Sequence, residues 1–188
     1  MSCADPIDAA VLTDYWVGAL AGPEEEAVEI HLLGCDACGS RLRGVIDMAE
    51  GVRRIAREGS LRMVVSDAFL RRAGEEGLRI REYAPPNGGS VQCTVGADDV
   101  LLIARLAADL SGAARVDLSL CDEHGVEQLR LEDIPVHPGS GGVTLQESIT
   151  YAKAGPTQTK MMRLLARDAA GRERMVGEYT FHHTRTLP

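Results

Sequence analysis

The chain has 188 residues, 45% of them apolar and only 4% aromatic, which is enough apolar content for a folded core and excludes wholesale disorder. Its net charge of −8 equals the excess in residues 1–50, which hold ten acidic side chains and only two arginines. Such an acidic segment repels phosphate backbones, so it disfavours direct nucleic-acid binding and suits a basic protein partner. A solvated acidic surface without a partner is the alternative interpretation.

Neither a membrane span nor a signal peptide is predicted. The sequence has no run of about 18 apolar residues, and its N-terminus lacks a basic n-region followed by an apolar h-region. We therefore expect a cytoplasmic protein with no membrane contact. In a reducing compartment its five cysteines are expected to be metal ligands or free thiols rather than disulfides.

Four helices are predicted in the first 77 residues, because apolar residues recur there at helical spacing. The predicted ranges are 7–20, 23–33, 37–57 and 61–74. Pro23 suits the first turn of the second helix, and the glutamates after it favour the positive helix end. Gly34 suits the C-cap of that helix, and Asp36 is a good N-cap for the third.

After Gly77 the pattern changes to short alternating segments separated by turns rich in Gly, Asp and Pro. The predicted strands lie in LRIREY, SVQCTV, VLLIARLA, ARVDLSLCD, EQLRLEDIPV, GVTLQESI, TKMMRLLARD and RERMVGEYTFHH. Such spacing predicts an antiparallel sandwich or barrel. The predicted fold class is therefore α+β, with a helical domain at 1–77 and an all-β domain at 78–188.

The strongest chemical motif is H-x3-C-x2-C, formed by His31, Cys35 and Cys38. Near a helix end, residues four apart lie on the same side, and a new helix beginning at about Asp36 brings the second cysteine to the same point. Imidazole and thiolates are a normal ligand set for tetrahedral zinc. The motif therefore predicts three ligands of one structural zinc ion.

A closed structural site needs a fourth ligand, and Cys3 is the one further Cys or His in the first 77 residues. Asp5 and Asp8 are possible oxygen ligands, although thiolate suits a His-Cys zinc site better. Two alternatives stay open at this point. The cysteines could be ordinary buried thiols with a surface histidine, or C-x2-C could be a redox motif, although such a motif usually follows a strand.

The segment VLTDYWVGALAGPEEEAVEIHLLGCDACGSRL resembles the zinc-binding anti-sigma family, whose members hold extracytoplasmic-function (ECF) sigma factors inactive. The resemblance covers residues 1 to about 75: a short helix, an acidic helix ending in H-x3-C-x2-C, and a longer third helix. It implies that His31, Cys35 and Cys38 bind zinc. The upstream ligand of the family, a His or Cys before the first helix, corresponds to Cys3, which stands a few residues earlier here.

The resemblance also implies a mechanism, in which the fourth helix packs between the two helical domains of the sigma factor and covers its polymerase-binding surface. The apolar residues of that predicted helix have no evident place in a three-helix core, so we expect them to contact the partner. They are Val64, Val65, Phe69 and Leu70. The alternative is that this face packs onto the β domain.

The β domain is expected to receive a signal, and its sequence carries no enzyme signature such as G-x-S-x-G or a phosphate loop. Its possible metal ligands are Cys93, Cys121, His124, His137, Glu178, His182 and His183. They lack the H-x-H spacing of a cupin, so a second metal is not expected. Two rival functions remain: a zinc–thiol redox switch, and a small-ligand-binding or hydrolytic β domain with an accessory zinc module.

Overall fold

The computed structural model describes residues 3–136 and 140–186, and the chain divides into two compact units. Unit 1 is Met1–Ile55 and unit 2 is Ala56–Pro188. Helices come first and two mixed sheets follow, so the expected α+β class is confirmed. The division falls between Ile55 and Ala56 rather than after residue 77, because residues 56–77 make their contacts within unit 2.

Unit 1 contains three helices, as the sequence predicts for this region. They are α1 (Ala9–Trp16), α2 (Gly22–Gly34) and α3 (Asp36–Arg57), the last two residues of which count with unit 2. The Asp8 carboxylate accepts the Ala10 N–H at 2.8 Å and caps α1, which is why this helix starts later than predicted. None of the described helices has the combined length and apolar character needed to cross a membrane.

The apolar core of unit 1 is small. Among its described residues, the buried apolar side chains are Leu12, Val28 and Cys38. The Tyr15 hydroxyl lies 3.5 Å from the Glu29 carboxylate, a weak link between α1 and α2. Several large apolar side chains of α2 and α3 are instead exposed: Ile30, Leu33, Met48, Val52 and Ile55. Three buried side chains are too few to stabilise a unit of this size by apolar burial alone.

Unit 2 contains nine strands and two helices among its described residues. The elements in chain order are β1 (Met63–Val64), α4 (Asp67–Glu75), β2 (Ile80–Tyr83), β3 (Ser90–Cys93), β4 (Leu101–Ala107), β5 (Arg115–Cys121), β6 (Glu127–Leu131), β7 (Gly142–Glu147), α5 (Ile149–Ala154), β8 (Gln158–Arg167) and β9 (Glu173–His183). One sheet has the order β1-β7-β4-β2 and the other β3-β9-β8-β5-β6. All eight predicted strand segments therefore contain a strand.

The expectation of purely antiparallel sheets is wrong, because each sheet has one parallel pair at its edge. Strand β2 runs parallel to β4, and β3 runs parallel to β9. The turn at 84–89 carries the chain from one sheet to the other, so β2 and β3 are not hairpin partners. A local turn signal marks where a strand ends but not which sheet the next strand joins.

The two sheets of unit 2 share one core. Leu106 and Leu145 come from the first sheet, and Leu118, Leu164 and Tyr179 from the second, all with at most 1% of their surface exposed. The Tyr179 hydroxyl is satisfied within this core, donating to the carbonyl of Ala107 at 2.6 Å. This large buried cluster gives unit 2 its own source of stability.

The predicted fourth helix at 61–74 is wrong in its first part. Met63 and Val64 form β1 and pair with β7, and α4 begins only after Ser66, whose hydroxyl accepts the Phe69 N–H at 3.2 Å. The β-branched residues before this cap favour a strand, whereas the cap itself starts the helix.

The apolar face expected to contact a partner packs inside unit 2. Val65 and Leu70 are 8% and 7% exposed and share a buried cluster with Leu101 and Ile103. Phe69 packs against the same cluster, and Val64 packs against the core that the two sheets share. These four side chains therefore have an intramolecular place, and the reason for assigning them to a partner surface no longer holds.

Candidate metal centre

The junction of α2 and α3 positions three of the predicted ligands. His31 lies in the last turn of α2, which ends at Gly34. Cys35 follows with an extended backbone (φ −135°, ψ 94°) that stops the helix and redirects the chain. Cys38 then lies in the first turn of α3 and is completely buried. The short break between two helices thus places all three side chains around one point.

Cys3 completes this cluster from the segment before α1. The four ligand atoms, three Sγ and one imidazole nitrogen, all lie within 4.8 Å of one another. The distance from Cys3 Sγ to His31 Nε2 is 3.5 Å. The structure therefore brings together all four residues that the sequence proposed as ligands. Asp5 and Asp8 are not part of the group, and Asp8 instead caps α1.

The geometry suits a tetrahedral metal ion. With metal–sulfur bonds of about 2.3 Å and metal–nitrogen bonds of about 2.0 Å, neighbouring ligand atoms in a tetrahedron are about 3.5–3.8 Å apart. The Cys3–His31 separation of 3.5 Å falls in this range, and all other separations in the cluster are within 4.8 Å. Small side-chain movements would bring all four atoms to bonding distance of one ion. Four protein ligands leave no open position for substrate, which is typical of a structural site rather than a catalytic one.

The electrostatics of the cluster favour a thiolate at Cys35. A hydrogen bond from the Cys38 backbone N–H, with further bonds from Cys3 and His31, lowers the pKa of Cys35 to about 6 despite opposing desolvation. Desolvation and the neighbouring Cys35 raise the pKa of the Cys3 thiol, so the first negative charge resides on Cys35. The N-terminus of α3 also favours negative charge at this point. A cation bound here would relieve the repulsion between further thiolates.

The other candidate ligands in the sequence do not form a second cluster in the described residues. Glu178 instead accepts a hydrogen bond from the Arg163 guanidinium at 2.7 Å. His182 lies 3.0 Å from the Thr159 hydroxyl, on the opposite face of β9 from His183. His137 lies outside the described residues.

Sequence reasoning missed a cavity in unit 2 that His183 lines. From the sequence, His183 was expected to be a possible metal ligand or an exposed histidine at the end of a strand. The alternation along β9 places Phe181 and His183 on the same face, which was a signal that the side chain points toward apolar neighbours. Its actual exposure is 9%.

Searches with protein-family models and among curated proteins give no match to this chain. The four-ligand cluster by itself does not identify a family, because structural Cys3His zinc sites occur on unrelated folds. The function is therefore inferred from the chemistry of the cluster and from the surface around it.

Proposed function

We propose that the protein is an anti-sigma factor in which unit 1 folds around one structural zinc ion and binds an ECF sigma factor, while unit 2 receives a signal. The observation that carries this proposal is the convergence of Cys3, His31, Cys35 and Cys38 at the junction of α2 and α3. The spacing of these residues and the order of α1, α2 and α3 support this proposal, because both agree with the anti-sigma family that the sequence resembles.

Zinc is the metal that the donor set favours. Three thiols and one imidazole in a closed site suit a borderline-soft ion with tetrahedral preference, whereas magnesium and calcium require oxygen ligands. The small core of unit 1 supports a structural role, because Leu12, Val28 and Cys38 alone bury too little apolar surface. In this role the metal joins the start of the chain to the end of α2 and the start of α3.

The surface of unit 1 supports a protein partner. Met48, Val52 and Ile55 recur at helical spacing on α3 and are 68%, 51% and 38% exposed. We call these three residues the α3 stripe. An apolar stripe of this kind on a helix is typical of a binding face. The ten acidic residues of positions 1–50 favour a partner with a basic surface, as a DNA-binding sigma factor has.

The proposed contact therefore differs from the one expected from sequence. Val65 and Leu70 of the α4 region are buried within unit 2, so they offer no surface to a partner while that packing persists. The α3 stripe is accessible without unfolding any element. We propose that it contacts the sigma factor in place of α4.

The experiment is a binding and transcription assay with purified ECF sigma factors from the source cell. The zinc-loaded full chain should bind one of them and block transcription by the polymerase that carries it. Met48→Asp should weaken binding by at least about tenfold, because a charge in the centre of an apolar interface is costly. Met175→Asp is the matched control, since Met175 is similarly exposed (57%) but lies on β9 of unit 2.

The outcomes separate the parts of this proposal. Equal binding by the Met48→Asp and Met175→Asp variants would show that the α3 stripe is not the interface. Failure of the zinc-loaded chain to bind any ECF sigma factor of its source cell would overturn the anti-sigma function. Zinc content, measured on the same samples, reports separately on the metal site.

A second candidate is a zinc–thiol redox switch, favoured by the three thiols that lie within 4.8 Å of one another. Two of these cysteines, Cys3 and Cys35, are only partly buried. A peroxide could oxidise two thiols to one disulfide, with the two electrons and two protons reducing hydrogen peroxide to two waters, and the zinc would be released. Stoichiometric zinc release by one equivalent of hydrogen peroxide would support the switch, and retention of zinc in excess peroxide would exclude it.

A further inference from the structure

A cavity of about 60 Å³ lies in unit 2, lined by residues of both sheets and of α5. Its apolar lining includes Leu102 and Ala104 from β4, Met162 from β8 and Phe181 from β9. A water molecule needs about 10–15 Å³ of such volume, so the cavity has room for a small organic group. The cavity belongs to unit 2 alone and is separate from the metal ligands.

One polar side chain in this lining has an unsatisfied atom. His183 is 9% exposed, and its Nε2 atom has no hydrogen-bond partner among the described residues. A backbone hydrogen bond with Ala152 acts to raise the pKa of the ring, as expected when the ring is the donor, and Nε2 has no partner. We therefore assign the donated proton to Nδ1, which leaves a lone pair on Nε2. Desolvation lowers the pKa of this imidazole, which keeps the ring neutral at pH 7.

A buried acceptor without a donor is costly, and nearly all such groups in folded proteins have a partner. The lining also contains the polar side chains of Glu147, Gln158 and Lys160, of which Glu147 is already paired with Arg62. An ordered buried water needs two to four free polar partners, so it is a weaker candidate than a largely apolar ligand. The Lys160 ammonium of this lining lies over the Tyr151 ring, 4.3 Å from its centroid. The lone pair of Nε2 is thus available to a ligand that brings its own donor.

We propose that this cavity binds a small, largely apolar molecule carrying one O–H or N–H group, which donates a hydrogen bond to Nε2 of His183. An apolar pocket with one well-placed polar atom is the usual composition of a small-molecule site. A carboxylate has no proton at pH 7 and therefore cannot make this hydrogen bond to Nε2. Under the function proposed above, this site gives unit 2 a place to receive a chemical signal. The binding itself does not depend on that function.

The test uses phenol and toluene, which have similar shapes but differ in the hydroxyl donor. Each is titrated into the full-length zinc-loaded chain labelled with ¹⁵N histidine. Phenol should shift the Nε2 resonance of His183 and bind about two- to tenfold more tightly than toluene, the effect of one net hydrogen bond. Equal affinities, or a phenol response that leaves the His183 resonance unchanged, would overturn the proposal.

Two variants sharpen the test. His183→Met removes the acceptor while filling similar space, so phenol should lose its advantage over toluene. His182→Met is the matched control, since His182 is the neighbouring residue, points to the other face of β9 and bonds to Thr159. A preference that survives in His183→Met would contradict the proposal. If His183→Met does not fold, the proposal is tested by the unmodified chain alone, through its His183 Nε2 resonance and its affinities for phenol and toluene. The titration contains no sigma factor, so a negative result would overturn the ligand site without bearing on the anti-sigma function.

Discussion

The two units reach stability by different means. Unit 2 buries side chains of both sheets in one core, including Leu118, Leu145 and Leu164 at 0% exposure. Unit 1 buries few apolar side chains but brings four candidate metal ligands together at the junction of two helices. A small domain without a sufficient core commonly depends on a metal or disulfides. With the proposed zinc site, this contrast predicts that a metal is needed to fold unit 1 but not unit 2.

Metal removal is expected to have the largest effect, and that effect should differ between the two units. Chelation of zinc should unfold α1, α2 and the start of α3 and leave the strands of unit 2 protected, because metal binding contributes several kcal/mol or more to folding of such domains. Hydrogen exchange followed by mass spectrometry resolves the two units in one sample. Equal loss of protection in unit 1 and unit 2 would mean that their stabilities are not separate.

A slightly smaller effect is expected from a substitution in the apolar face of α4, which packs inside unit 2. Leu70→Ala should reduce the free energy of unfolding of unit 2 by about 2–5 kcal/mol, because Leu70 is buried against Leu101 and Ile103. Met48→Ala, on the exposed α3 stripe, should change stability by less than about 0.5 kcal/mol. Chemical denaturation measures both. If Leu70→Ala leaves the free energy of unfolding unchanged, the apolar face of α4 is not part of the core of unit 2.

Asp117 of β5 tests the electrostatics of unit 2. Its carboxylate is 1% exposed and accepts hydrogen bonds from Arg115 and from the Asp133 N–H, both at 2.8 Å. Burial acts to raise the pKa of Asp117, but these two partners more than offset it and lower the pKa below its usual value. Asp117→Asn should lower the free energy of unfolding by about 2 kcal/mol at pH 7, because it weakens hydrogen bonds to a charged group.

The pH dependence of this effect follows from the lowered pKa. The stability that the Asp117 carboxylate contributes is fully present above its unfolded pKa of about 3.9, and it is lost as the pH falls through the lower folded value. The difference between the original chain and Asp117→Asn should therefore shrink below about pH 4. A difference that stays constant from pH 7 to pH 3 would show that the carboxylate charge is not its source.

The smallest effect concerns the helix cap of α4. Ser66→Ala removes the hydroxyl that accepts the Phe69 N–H, so the stability of unit 2 should fall by about 1 kcal/mol. Ser111→Ala is a control for the loss of an exposed hydroxyl, because the Ser111 side chain bonds to Asp109 in a loop and caps no helix. Thermal denaturation of the two variants measures the loss of stability in each. A larger loss in Ser111→Ala than in Ser66→Ala would count against the cap.

Sequence patterns predicted the local features of this chain better than its long-range pairing. The convergence of His31, Cys35 and Cys38 was predictable because they lie within eight residues at a helix junction, where spacing alone fixes their geometry. The strands were predictable from alternation and turns. The parallel partner of β2 was not, because strand pairing depends on contacts between residues far apart in the chain.

The environment of individual side chains was also hard to predict. Leu70 lies on an amphipathic helix, and its sequence pattern is the same whether the apolar face packs inside the chain or against a partner. The buried position of His183 depends on both sheets and on α5, and the partnerless Nε2 is a property of that three-dimensional arrangement. Periodicity identifies which face is apolar, but only the fold shows what covers it.

The central claim is that Cys3, His31, Cys35 and Cys38 together hold one structural zinc ion. X-ray absorption spectroscopy at the zinc edge tests it most directly, because the method counts the sulfur and nitrogen neighbours of the metal. The full-length chain purified with zinc should contain one ion, surrounded by three sulfurs at about 2.3 Å and one nitrogen at about 2.0 Å. Less than half an equivalent of zinc, or a first shell dominated by oxygen, would contradict the account.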